Sequence, residues 1–244
     1  MGKEERAMDY ISGEILAIDK PYGWTSFDAV KRLRGAIQKR LRLKKFKVGH
    51  AGTLDPLATG VLIVCTGRAT KRIEELQNGD KEYEATVELG ATTPSFDLET
   101  EIDAKYPTDH ITEDLVREVL ESFKGDIMQV PPVFSAVKVD GKRAYKFART
   151  GKELELKPKP IKIKDIEFLG LNGNELKFRV ECGKGTYIRS LARDLGEKLE
   201  TGAHLTQLRR TKVGKIKIED CMKIDEAVEM INTAPLMFQA STQE

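Results

Sequence analysis

The sequence predicts an α+β fold built on a mixed, mainly antiparallel sheet flanked by helices. Three observations carry this. Segments alternating with period two, such as KEYEATVELGA (residues 81–91), intermingle with segments of helical period, such as the one carrying Val30, Leu33, Ile37 and Leu41. Two hairpin signals, Asp140-Gly141 and Asn172-Gly173-Asn174, turn strands back on themselves. No repeat, low-complexity tract or linker divides the 244 residues. One domain over residues 13–232 is therefore expected, after a flexible leader (1–12) and before a C-terminal tail (233–244).

Each element has a local reason. GEILAIDKP (13–21) is a short strand that Pro21 ends. Thr25 and Ser26 stand at a helix N-cap, with Asp28 in the first turn, where a negative charge meets the helix dipole. Lysines and arginines fill the face that the apolar stripe leaves over. VLIVC (61–65) is a buried strand. RATKRIEELQN (68–78) is a helix with Gly79 in the position of a C′ residue. Residues 111–123 form a helix closed by Gly125, and Pro131-Pro132 makes a rigid extended connection. Two alternating segments span residues 161–182, a helix spans 187–199, a strand spans 205–218, and a short helix closes the chain at 224–231.

Composition narrows the function classes. Hydrophobic residues make up 40% and charged residues 33%, with a net charge of only +2; this fits an ordinary globule. The charge is unevenly spread. Residues 31–47, KRLRGAIQKRLRLKKFK, hold nine Lys or Arg and no acid, whereas residues 97–126 hold ten carboxylates against three bases. Such a chain can offer a cationic face to a polyanion, although solvated helix faces have the same look. Cys65, Cys182 and Cys221 are odd in number and widely spaced, which supports neither disulfides nor zinc. His50, His110 and His204 show no ligand spacing, so no metal and no cofactor are expected. No apolar run approaches the roughly 20 residues of a membrane span, and the N-terminus has no signal-peptide h-region. A cytoplasmic protein is expected.

The run GHAGTLDPLATGVL (49–62) is the densest in chemistry. Asp55 is the only acid between Lys31 and Glu74. An Asp-Pro turn usually caps its own backbone. Here, flanking glycines permit close approach of a ligand and cationic surroundings hold the carboxylate ionised. Tyr83 fits either a core position or a stacking surface for a base. GKGTYIRSLARDLG (183–196) puts Tyr187 and Arg189 in the first turn of a helix. A cation there opposes the dipole, so either an ion pair or an anionic partner accounts for Arg189. Arg209 and Arg210, adjacent on a strand, point to opposite faces. Phosphate-loop, dinucleotide and GxSxG patterns are absent from the sequence.

These residues fall within longer blocks: LAIDKPYGWTSFDAV, GHAGTLDPLATGVLIVCTGRATK, KEYEATVELGATT, VPPVFSAVKVDGKRAYKFAR, GTYIRSLARDLG and AHLTQLRRT. In that order, across most of the chain, they resemble the bacterial TruB-type tRNA pseudouridine synthases. The resemblance implies the pseudouridine synthase fold and isomerisation of the uridine at tRNA position 55, in the T loop, on a flipped-out nucleotide and without cofactor. It implies Asp55 as the nucleophile, Tyr83 stacked on the target base, and Arg189 paired with the catalytic carboxylate. Tyr187 would line the pocket, His50 would hold flipped nucleotides, Leu208 would pack on the base, and Lys20 with Pro21 would buttress the site. Lys31, Arg32, Lys39, Lys44, Lys45, Arg209 and Arg210 are expected to meet the RNA backbone. The family's TDTxDxxG motif reads TTPSFDLET here, so the motif alone assigns Asp97 no role. Too few residues follow Ile218 for a complete PUA-like domain. A monomer acting on the T-arm without an obligatory protein partner is expected. An RNA chaperone and a guide-RNA-dependent, dyskerin-like enzyme are the competing readings.

Overall fold

The computed structural model describes residues 6–135, 138–139, 142–143 and 156–237. In chain order the first elements are β1 (Ile15–Lys20), α1 (Ser26–Leu41), β2 (Val48–Ala51), β3 (Ala58–Thr66) and α2 (Ile73–Gln77). Next come β4 (Lys81–Leu89), β5 (Ala91–Thr92), β6 (Ala104–Lys105), α3 (Glu113–Glu121), β7 (Gly125–Gln129), β8 (Lys138–Val139) and β9 (Lys142–Arg143). The last are β10 (Lys159–Asn172), β11 (Glu175–Cys182), α4 (Ile188–Lys198), β12 (Ala203–Val213), β13 (Ile216–Lys217), β14 (Met222–Lys223) and α5 (Ile224–Thr233). The chain divides into two compact units, residues 1–79 with 209–244, and residues 80–208.

In the first unit the strand order is β14-β1-β3-β12, with β2 also on β3 and β13 on β12. β1 runs antiparallel to β3 and parallel to β14. Strand β3 is buried on both faces: Leu62 and Val64 join one apolar cluster, Val61, Ile63 and Cys65 another. This accounts for its unbroken apolar run. α1 starts at a capping box, in which Thr25 and Asp28 satisfy each other's backbone N–H. Its Val30, Leu33 and Ile37 pack with Ile224 and Ile231 of α5.

Residues 6–12 fall in the segment expected as a flexible leader, and the structure corrects that. Met8 and Tyr10 are buried in the same cluster as α1 and α5. The Met8 N–H donates to the Pro235 carbonyl at 2.8 Å, and Met8 bridges Leu236. Burial of these two side chains and the backbone bonds to Pro235 and Leu236 hold the segment against the body of the unit.

In the second unit the order is β12-β4-β11-β10-β7, antiparallel from β4 through β7. β11 alternates as read, with Leu176, Phe178, Val180 and Cys182 buried. Asn172 pairs with Glu175 across a two-residue turn in which Gly173 has φ +57°. The expected strand 205–218 breaks at Gly214, also at φ +57°, where Val213 and Ile216 close a tight hairpin. Lys138 pairs with Arg143 and Val139 with Lys142; the Asp140-Gly141 turn between them lies outside the described residues.

Candidate functional site

In the first unit, Asp55 sits on a loop whose main chain is fastened on every side. Its carbonyl accepts from the Ala58 N–H at 3.1 Å, closing the Asp-Pro turn. The residue before it is held by α1: the Leu54 N–H donates to Ser26 Oγ at 2.8 Å, and that hydroxyl donates to the Leu54 carbonyl at 3.0 Å. The residue after it is held by the β1–α1 connection: the Pro56 carbonyl accepts from the Gly23 N–H at 2.9 Å and from Lys20 Nζ at 3.4 Å. Arg210 fastens both loop ends, its guanidinium donating to the carbonyls of Val61 (2.8 Å), Gly52 (3.2 Å) and Thr53 (3.4 Å). Gly60 lies at φ +103°, where a Cβ would stand 2.2 Å from the Arg210 carbonyl oxygen. Only glycine fits that crossing.

Lys20 is fully buried. Its ammonium also donates to the carbonyls of Trp24 (2.6 Å) and Pro21 (2.9 Å). Burial lowers its pKa to about 8; the nearby Asp55 charge opposes the lowering, and the Arg210 charge deepens it. His50, on β2, has its pKa lowered, chiefly by burial, and its Nδ1 is buried without a partner among the described residues. The imidazole is thus neutral at pH 7 and has a vacant hydrogen-bonding atom.

In the second unit, Arg189 is 5% exposed. Its Nε lies 3.5 Å from Asp97 Oδ2, and its Nη2 and Nη1 reach the carbonyls of Phe134 (2.9 Å) and Ser95 (3.4 Å). Asp97 is itself buried and accepts from the Glu99 N–H at 2.9 Å. The altered TTPSFDLET segment therefore still supplies a carboxylate to Arg189. Tyr187, at the N-cap of α4, is clamped through its backbone by the Gln129 side chain: its N–H donates to Oε1 at 2.9 Å and its carbonyl accepts from Nε2 at 3.1 Å. Tyr83 is buried on β4 opposite Val180. Leu208, on β12, is half-buried.

The cationic residues differ in fate. Lys31, Arg32, Lys39, Lys44 and Lys45 are exposed on α1 and just after it. Arg32 comes within 4.0 Å of Asp225, a weak surface pair. Arg209 is partly exposed and engages Asp19 at 2.8 and 3.2 Å. Arg210 corrects the expectation of a phosphate contact: it is 1% exposed, with its guanidinium spent on loop carbonyls. Sequence reasoning missed Ser26 and Gln129, whose hydroxyl and amide bridge residues 28 and 58 positions away. Among the described residues, no group of three or more His, Cys, Asp or Glu is placed to hold a metal ion, and no helix is long and apolar enough to cross a membrane.

Comparison with known proteins adds a consistent set of matches. The TruB family pseudouridylate synthase N-terminal domain matches residues 38–188, and the tRNA pseudouridylate synthase B C-terminal domain matches residues 189–235. Proteins called tRNA pseudouridine synthase B are 60% identical in Phocaeicola vulgatus (92% of this chain, 96% of the relative) and 51% in Flavobacterium johnsoniae (88% and 95%). Among solved structures, a chain of a Cbf5-Nop10-Gar1 complex is similar at 33% identity with TM-score 0.68. A chain of an H/ACA RNP bound to a substrate RNA containing 2′-deoxyuridine follows at 31% and 0.64. This chain covers 90% of its own length and 54% of theirs.

Proposed function

The chain belongs to the TruB family of pseudouridylate synthases, and we propose that Asp55 is its nucleophile. It isomerises uridine 55 in the T loop of tRNA to pseudouridine. The N1–C1′ bond breaks and a C5–C1′ bond forms within one nucleoside; N1 gains a proton and C5 loses one, so nothing is oxidised or reduced. The observation carrying the proposal is the loop around Asp55, whose neighbours on both sides are hydrogen-bonded through their main chain. A carboxylate on so fixed a base suits attack on an electrophilic carbon, at C1′ or C6, or assistance to elimination through a glycal. Each path needs the ionised form of the carboxylate.

On the family's pattern, Tyr83, Tyr187 and Leu208 are assigned to the uracil and ribose and His50 to extruded loop nucleotides, while Arg189 pairs with Asp97. Pulling the nucleotide out of its stack costs a few kcal/mol. Phosphate contacts from Lys31, Arg32, Lys39, Lys44 and Lys45 offset that cost and make binding fall steeply with salt. The enzyme is assigned to the cytoplasm and to action as a monomer without a protein partner. The test is incubation with unmodified tRNA and with a bare T-arm hairpin, then mass mapping after pseudouridine-specific derivatisation. Pseudouridine at position 55 in both supports the reading. A hairpin that reacts only with added proteins overturns the stand-alone part, and a product elsewhere or none overturns the whole.

A further inference from the structure

Two aromatic rings in the first unit remain exposed beside the loop that carries Asp55. Tyr22 is 60% exposed and Phe27 is 58% exposed. Both leave most of their apolar area in water, which the hydrophobic effect disfavours. Their placement is specific. Tyr22 adjoins Gly23, whose N–H holds the Pro56 carbonyl, and Phe27 adjoins Ser26, whose hydroxyl holds Leu54. Each ring is thus one residue from a clamp on one side of Asp55.

The surroundings are cationic. The Arg34 guanidinium lies 5.9 Å from the Phe27 ring centroid. Lys31 and Arg34 follow Phe27 at i+4 and i+7, so the three share one helix face. The acid on this stretch, Asp28, is tied by the Thr25 N–H (3.0 Å) and hydroxyl (2.6 Å). Exposed flat rings beside Lys31 and Arg34, which make no salt bridge among the described residues, match single-stranded nucleic acid, whose bases stack while its phosphates meet the cations.

We propose that Tyr22 and Phe27 form a stacking platform for an unpaired RNA nucleotide flanking the target uridine, with Lys31 and Arg34 on its phosphates. This rests on the reading of Asp55 as the reactive centre. The platform contributes binding and holds the strand on one side of the carboxylate. It touches none of the reacting atoms.

The experiment uses the full chain carrying Asp55→Asn, so that RNA stays unreacted, and a T-arm hairpin with 2-aminopurine beside the target uridine. Tyr22→Ala and Phe27→Ala should each weaken binding by about fivefold to a hundredfold, with loss of the fluorescence quenching that stacking produces. Tyr22→Phe keeps the ring and should bind as the parent does. The Tyr22→Leu/Phe27→Leu pair keeps apolar bulk without a flat face and should not. Both positions are on the surface, so thermal midpoints should move by no more than about 3 °C. In the enzyme with Asp55 intact, the loss should fall on KM more than on kcat. Binding of the double alanine variant within twofold of the parent overturns the proposal and leaves the rings to a protein partner. Equal binding by the leucine pair overturns stacking. Ring-dependent quenching together with no pseudouridine from the enzyme with Asp55 intact would sink the catalytic reading and leave the platform standing.

Discussion

Asp55 and Arg189 are held by opposite means. Around Asp55 the bonds go to the main chain: a lysine, a serine, a glycine N–H and an arginine all engage backbone groups of residues 52–61. Around Arg189 the side chain itself is gripped, by the buried Asp97 carboxylate and two carbonyls. The first arrangement fixes where a functional group starts and leaves its end to other partners. The second fixes the charged end directly. Substitutions in the two places should therefore fail differently, and the contrast can be tested by separating stability from turnover.

The largest effect is expected for Asp55→Asn, which keeps the loop and removes only the charge. Turnover should fall at least about 1000-fold, while tRNA affinity and thermal midpoint stay near the parent's. Single-turnover assays and filter binding check this; substantial turnover would remove Asp55 from the chemistry. Next, Arg210→Met unfastens both loop ends and leaves three carbonyls without their donor. A loss of about 3–5 kcal/mol in denaturant unfolding is expected, with turnover falling because the loop is no longer fixed. Asp97→Asn is milder, because an amide oxygen still accepts from the Glu99 N–H. A loss of about 1.5–3 kcal/mol is expected, with turnover lowered through a less constrained Arg189.

pH separates the two regions further. Lys20 titrates at about 8 in the folded chain against an ordinary 10.5. Between those values the unfolded chain binds the proton more tightly, so this group's contribution to stability rises as pH climbs from about 8 to 10.5. Activity should move the other way, since deprotonation removes a charge beside Asp55 and a donor from its loop. A kcat profile falling near pH 8, with no matching fall in thermal midpoint, is the expected result; a flat profile across pH 8 breaks the link between Lys20 and Asp55. The smallest effects belong to Lys31, Lys39, Lys44 and Lys45. Each change to glutamine should lower the slope of log affinity against log salt by about 1 if that lysine meets a phosphate.

The same contrast explains what the sequence reveals. Asp55, Lys20 and His50 stand out because a polar residue between glycines, or a lysine ending an apolar strand, breaks a local pattern. Strand β3 and the stripe on α1 are readable because periodicity is local as well. Ser26 reads only as a helix cap, since nothing nearby says that its hydroxyl meets Leu54. The Arg209-Arg210 pair shows that one side chain turns inward, but period two does not say which, nor that loop carbonyls await it. Asp97 is hidden by the altered motif around it. Its tie to Arg189 is a contact across 92 positions, and no short-range pattern reports such a contact. Residues 6–12 are too short to show a period, and their order comes from Pro235 and Leu236, at the other end of the chain.

That last feature bears on how the protein is made. Residues 80–208 form one continuous stretch, within which β4, β11, β10 and β7 pair with one another. The other unit must wait: α1 emerges early, but α5 and the segment that joins Met8 come only after residue 224. Until α5 emerges, Val30, Leu33 and Ile37 have Leu16, Ile18, Leu62 and Val64 of their cluster but lack Ile224, Ala227 and Ile231, and part of their apolar face stays open. A nascent chain stalled before residue 224 should therefore hold the middle of its sequence folded and its beginning open to proteases and chaperones.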